Sequence, residues 1–270
     1  MSAPCCHSPA DLPPGHASQH LKVLVCEVLT REYYHCAARS TNTCEVTLFS
    51  QGLHDNPEIC RQTLQPAVDA ADPKRFAAVV LGYGLCNNAL AGLRAGRTPL
   101  VVPRAHDCIT LFLGCRRRYA QVFAEQPGTY FYTSGWLEYP YRGGERVQYT
   151  QSSGLARRRK FDELAAEYGE ENAAFLVETM SAWEVNYKRG LYIRMGFCER
   201  LGYEERVRSV CREKGWEYAE VEGDLSLVQD SLDGRWDSDR FLVLEPGEEI
   251  AADYGEGILR AKPRTAAQDG

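Results

Sequence analysis

The chain has 270 residues, 44% of them hydrophobic and 25% charged, with a formal net charge of −6. That length and composition suit a globular protein with one large or two modest cores. The acidic balance disfavours nucleic acid as a partner, because phosphate binding needs a basic face. No apolar run approaches the roughly 20 residues of a membrane span, and the first 20 residues hold no hydrophobic segment, so no membrane role, no secretory leader and a cytoplasmic location are expected.

Residues 1–20 read as a disordered tail. From there strand and helix patterns alternate: a strand at 21–26, a helix near 30–39, a strand at 45–49, a helix near 57–71, and a β-branched strand at 76–81 closed by Gly82-Tyr83-Gly84. A helix near 88–94, a strand at 99–102, a long helix over 108–125 and a fifth strand at 130–133 follow. Such alternation predicts an α/β fold, a parallel Rossmann-like sheet with helices on both faces. Residues 135–159 lack periodicity and read as a loop or insertion. Helices at 160–168, 171–187, 199–214 and 225–232, with strands at 191–194, 217–221 and 241–244, predict a second, smaller α/β half. The expected division is therefore an N-terminal domain over 21–134 and a C-terminal half over 160–260.

Eleven cysteines, an odd number without the dense spacing of a secreted scaffold, point to reduced thiols or metal ligation rather than disulfides. Three of them follow strands: Cys26, Cys86 and Cys108, the last beside His106 and Asp107. An open parallel sheet binds its ligand beyond the carboxyl ends of its strands. If the strand order is 2-1-3-4-5, strands one, three and four are neighbours about 5 Å apart, and the three thiols reach one edge. Thiolate and imidazole suit zinc or another transition metal, including iron–sulfur. The expected metal ligands are Cys26, Cys86, His106 and Cys108, with Asp107 or Glu27 orienting His106. Cys115, seven residues along the same expected helix, would lie about 10 Å from Cys108 and is read as core. Against this stands the bland reading that free cysteines are buried small hydrophobes, and no C-x-x-C spacing is present.

Gly82 and Gly84 allow a tight turn whose backbone N–H groups can meet a ligand, with Asn87 beside them; Cys86 at a helix start would have its thiolate stabilised. Asn at position 87 breaks the dinucleotide fingerprint, and either Asn87 or Asn88 could simply cap a helix. Trp136, in the loop after strand five, is placed to cover the site or to pack in a core. Cys5-Cys6-His7 lies in the tail. Cys36, Cys44, Cys60, Cys198 and Cys211 read as packing residues. No histidine follows His106, and no G-x-S-x-G element exists.

Several motifs together resemble a bacterial and archaeal domain-of-unknown-function family. They are the cysteine after the first strand, Gly82-Tyr83-Gly84-Leu85-Cys86-Asn87-Asn88, Pro103-Arg104-Ala105-His106-Asp107-Cys108, Pro127-Gly128-Thr129-Tyr130 with Thr133-Ser134-Gly135-Trp136, and Leu232-Asp233-Gly234-Arg235-Trp236-Asp237. The resemblance spans about 21–250. It implies a role beside corrinoid-dependent methyltransferase components and points to Cys26, Cys86, His106 and Cys108.

Three functions are expected to compete. One is a metal-binding protein of corrinoid or one-carbon metabolism, with metal-assisted transferase chemistry if it is an enzyme. Another is a metal-free thiol enzyme or sulfur carrier with Cys86 as nucleophile and His106 as base. The third is a non-catalytic binding module for a corrinoid protein or methyltransferase. A small-molecule substrate is compatible with the first two.

Overall fold

The computed structural model describes residues 18–139 except 126, residues 186–263 except 256, and short pieces between 141 and 173. The expected tail, Cys5-Cys6-His7, most of the loop at 135–159 and the helices at 160–168 and 171–187 fall largely or wholly outside these residues.

The chain forms β1 (His20–Cys26), a 3₁₀ turn (Glu27–Leu29), α1 (Thr30–Ala37), β2 (Thr43–Phe49), α2 (Pro57–Asp69), β3 (Ala78–Gly82) and β4 (Leu100–Pro103). Then come α3 (Cys108–Leu113), α4 (Arg116–Glu125), β5 (Thr129–Tyr132), α5 (Ser134–Glu138) and a small hairpin of β6 (Tyr141–Arg142) and β7 (Glu145–Arg146). The last part holds β8 (Arg189–Arg194), α6 (Tyr203–Lys214), β9 (Glu217–Glu222), α7 (Ser226–Asp233), β10 (Phe241–Leu244), β11 (Glu249–Asp253) and β12 (Ile258–Lys262).

Two units divide the chain: residues up to 121 together with those from 223 onward, and residues 122–222. The first holds a five-stranded sheet of order β10-β4-β3-β1-β2. β1 to β4 run parallel, and β10 pairs antiparallel with β4, Phe241 facing Pro103. The central strand β3, Ala-Val-Val-Leu-Gly, is buried at all five positions, as a strand covered on both faces must be. The second unit holds the parallel sheet β5-β8-β9, with Tyr132, Leu137, Tyr192, Val207 and Cys211 as its buried core. The architecture is α/β, a Rossmann-like sheet with flanking helices plus a smaller α/β annex.

Three elements differ from expectation. The fifth strand does not extend the first sheet; it pairs with β8, and β10 takes the place beside β4. Short apolar runs report burial but not which sheet supplies the neighbour. The long helix at 108–125 is two helices, because Gly114 adopts φ 81°, with the Asp224 side chain packed against its Cα. The expected helix at 88–94 is a series of turns, since Cys86, Asn87 and Asn88 all have positive φ and cannot start a right-handed helix.

The returning chain is anchored by charge. Arg235 Nε donates to Asp230 Oδ1 at 2.5 Å, and its Nη2 lies 2.9 Å from Asp233 Oδ2. Arg240 pairs with the other oxygen of Asp230 and donates to Ser226 Oγ at 3.2 Å. Both aspartates are buried. Because α7 also holds α1, through Gln229 Nε2 donating to the Cys36 carbonyl, these pairs lock β10 onto the sheet. Removing one partner of a buried pair leaves an uncompensated charge. Asp230→Ala is expected to lower the unfolding free energy by about 3 kcal/mol, measured by urea denaturation; a loss below about 1 kcal/mol, the value of a surface pair, would contradict it.

Candidate functional site

The carboxyl ends of β1, β3 and β4 adjoin, as the thiol grouping required. Past those ends the chain continues as two loops joined backbone to backbone. The Leu85 N–H donates to the Ala105 carbonyl and the Cys86 N–H to the His106 carbonyl, both at 2.8 Å. Gly84 makes this joint possible: a Cβ there would lie 2.5 Å from Asp107 Cα and 2.6 Å from its carbonyl carbon. Gly82 has its own close neighbour, the Tyr33 ring 2.9 Å from the position of a Cβ. Both glycines are thus needed for close approach, and neither has the positive φ of a turn glycine.

Cys86, Asn87 and Asn88 then follow with φ of 39°, 54° and 61°. Left-handed backbone costs a non-glycine residue roughly 1–2 kcal/mol; asparagine tolerates it, cysteine does so poorly. Three such residues in a row at a sheet's ligand-binding edge are the kind of local strain that collects at functional sites. Asn87 and Asn88 are exposed.

The sulfurs lie deeper. Cys26 and Cys108 are buried, and Cys86 is part-buried. Burial pushes the Cys86 thiol far up, and the neighbouring Cys26 and Asp107 add to that, against N–H groups of Cys108 and Gly84 that donate toward the sulfur. Burial likewise raises Cys26, against the Val28 N–H. Both thiols are therefore protonated at neutral pH. Tyr83, directly after β3, is also buried, and its hydroxyl is pushed up by desolvation and by the nearby Cys26, Cys60, Cys86 and Glu27.

His106 differs: it is exposed, with only its backbone carbonyl tied to Cys86. Asp107 accepts from the Ile109 and Thr110 N–H groups at 3.0 and 3.4 Å, capping α3, and from the Tyr119 hydroxyl at 3.1 Å. Burial raises its carboxyl, while these bonds and His106 pull it down. Glu27 accepts from the Gln51 N–H at 3.0 Å and from Ser50 Oγ at 3.3 Å. Both carboxylates thus serve helix and loop ends rather than orienting His106. Cys115 is not on the helix of Cys108; its sulfur accepts from the Arg118 N–H at 3.4 Å at the start of α4, so the axial-distance reason for setting it aside does not hold. Trp136 sits in α5 of the second unit.

Zinc, iron–sulfur or another transition metal would need at least three convergent donors. Among the described residues no group of three or more His, Cys, Asp or Glu side chains is arranged to hold an ion. The expected set of Cys26, Cys86, His106 and Cys108 is split between enclosed sulfurs and an outward imidazole. As placed, the expected set forms no such group among the described residues.

The site therefore defines an α/β protein with a thiol-lined, conformationally locked edge at the switch point of its sheet. A family model described as a protein of unknown function (DUF1638) matches residues 48–232, and the chain belongs to that family, in agreement with the motif resemblance. No curated protein and no solved structure matches it. No helix among the described residues is long and apolar enough to cross a membrane.

Tyr83 is the residue that sequence reading passed over, although it lies inside the Gly82-to-Asn88 motif; the all-apolar strand before it already signalled that it would be enclosed. Two outcomes follow from the geometry. Asn88→Gly relieves the positive φ and is expected to raise stability by about 0.5–1 kcal/mol, read from urea midpoints; destabilisation would contradict the left-handed backbone. The raised thiols also set a pH dependence. The unfolded chain loses its cysteine protons near pH 8.5 while the folded chain keeps those of Cys26 and Cys86, so stability is full below that pH and falls above it. The slope is about 1.4 kcal/mol per pH unit for each such thiol. Cys26→Ala is expected to flatten the decline between about pH 9 and 11, measured by urea denaturation at each pH; an unchanged slope would show that Cys26 ionises alike in both states.

Proposed function

We propose that the chain is a non-catalytic binding module whose contact surface is the rim formed by Asn87, Asn88 and His106, and whose partner is a corrinoid protein or a corrinoid-dependent methyltransferase. The observation that carries this reading is the left-handed run at 86–88. It fixes two exposed amides beside an exposed imidazole on a backbone that cannot relax into helix, which is pre-organisation for recognition. A thiol enzyme acting through Cys86 would need a lowered thiol pKa, and burial moves Cys86 the opposite way. The choice of partner rests on the motif resemblance; membership of DUF1638 is compatible with it.

Sedimentation velocity with purified corrinoid protein and purified methyltransferase, each tested alone under anaerobic reducing conditions, is the direct test. A saturable complex with one of them is expected. The double variant Asn87→Ala/Asn88→Ala should weaken it about tenfold, the loss of about 1.4 kcal/mol, while Cys26→Ser should leave it within about twofold. A folded wild-type chain that binds neither protein would overturn the reading.

A further inference from the structure

β2 ends the first sheet: among the described residues it pairs with β1 and with no other strand. The Thr43 N–H donates toward β1, to the Gln19 carbonyl. Backbone direction alternates along a strand, so Cys44, Val46 and Leu48 turn their N–H and C=O groups outward. Natural sheets blunt such an edge with lysine, proline, a bulge or a covering element. The opposite edge of this sheet follows that rule. β10 is four residues long, is followed by Glu245-Pro246, and has β12 packed against it. β2 does not follow it. Its seven residues, Thr-Cys-Glu-Val-Thr-Leu-Phe, include no lysine or proline, and none of them is buried. They match β1 one to one, without a bulge. The one charge, Glu45, is already paired with Arg75 of the same chain.

We infer that two copies of this chain join edge to edge through β2, antiparallel about a two-fold axis at Val46, to make one continuous sheet. The strand is self-complementary in that register. Val46 exchanges both backbone hydrogen bonds with its own mate, and Cys44 does so with Leu48 of the second copy, so every outward N–H and C=O of the strand is used. On one face the pairs Cys44–Leu48, Val46–Val46 and Leu48–Cys44 form an apolar row, covering a Leu48 that is 36% exposed in the single chain. On the other face Glu45 meets Thr47. Neighbouring registers are worse. An axis at Glu45 sets that carboxylate against its own copy, and like charges directly opposite are destabilising. An axis at Thr47 sets Glu45 against Phe49 and leaves Cys44 without a mate in the strand. The edge is separate from the rim of Asn87, Asn88 and His106, so self-association and partner binding are measured independently.

Sedimentation equilibrium of the full-length chain under reducing conditions, with amide hydrogen exchange on the same samples, tests this. A dimer is expected, and the amides of Cys44, Val46 and Leu48 should gain protection as concentration rises. Val46→Pro removes an outward N–H where the single chain loses no hydrogen bond, the edge position that tolerates proline. It should raise the dimer dissociation constant at least about tenfold, with circular dichroism confirming the fold. Two further variants read the register without touching the backbone. Thr47→Lys, opposite Glu45 of the second copy, should keep the dimer, and Thr47→Glu should weaken it about fivefold. A chain still monomeric at about 0.1 mM, a dimer indifferent to both Val46→Pro and Thr47→Glu, or edge amides equally protected at every concentration would overturn the inference. The last result would mean that the chain covers its own edge.

Discussion

The site depends on one joint: two parallel backbone hydrogen bonds, from Leu85 and Cys86 to the carbonyls of Ala105 and His106. They extend the pairing of β3 with β4 beyond the point where both strands end. The absent side chain of Gly84 lets the backbones meet. Once they meet, Asp107 is held where its carboxylate can cap α3. Arg104, from the same loop, reaches outward to the carbonyls of Ser238 and Gly257 at 2.9 and 2.7 Å. The joint therefore sets the position of the thiols, the start of a buried helix and the docking of the C-terminal chain.

It also sustains an unfavourable backbone. Three left-handed residues cost a few kcal/mol together, and two backbone hydrogen bonds return about 1 kcal/mol each. The remainder comes from burial nearby, where Ala89 and Leu90 are fully enclosed. Asparagine at 87 and 88 tolerates that backbone better than other residues with a side chain do. Cysteine at 86 tolerates it less well, since glycine or asparagine would adopt φ 39° with less strain. Its sulfur is met by the N–H groups of Gly84 and Cys108 and acts on the nearby Tyr83 hydroxyl.

Much of the first sheet was legible in the sequence. The runs at 76–81 and 99–102 are apolar throughout and that at 21–26 is interrupted only by Lys22, as suits strands buried on both faces, and their adjacency follows the order β4-β3-β1-β2. The sheet membership of β5 and β10 was not legible, because a four-residue apolar run looks the same in either sheet. The break at Gly114 could not be told from a tolerated helical glycine without knowing that Asp224 packs on it. The edge itself was inferred from Cys26, Cys86 and Cys108, and those residues do reach neighbouring strand ends. What spacing cannot carry is side-chain direction. His106 and Cys108 are two residues apart, yet one is exposed and the other buried, and that difference separates a donor cluster from a rim over a thiol-lined floor.

The charge state of that floor narrows its chemistry. A thiol held protonated by burial is a poor nucleophile, and its proton must leave before it can ligate a metal. The nearby carboxylates of Glu27 and Asp107 oppose that ionisation rather than assist it, so the edge resists becoming a thiolate centre by itself. The two carboxylates are, in addition, committed to backbone N–H groups of the 3₁₀ turn Gln51–Asp55 and of α3. Moving either to serve a metal or a base would release the loop that it holds. In the binding role proposed for it, such an edge would discriminate by shape and by hydrogen-bond pattern, with the exposed asparagine pair and the protonated sulfurs as its polar and apolar parts.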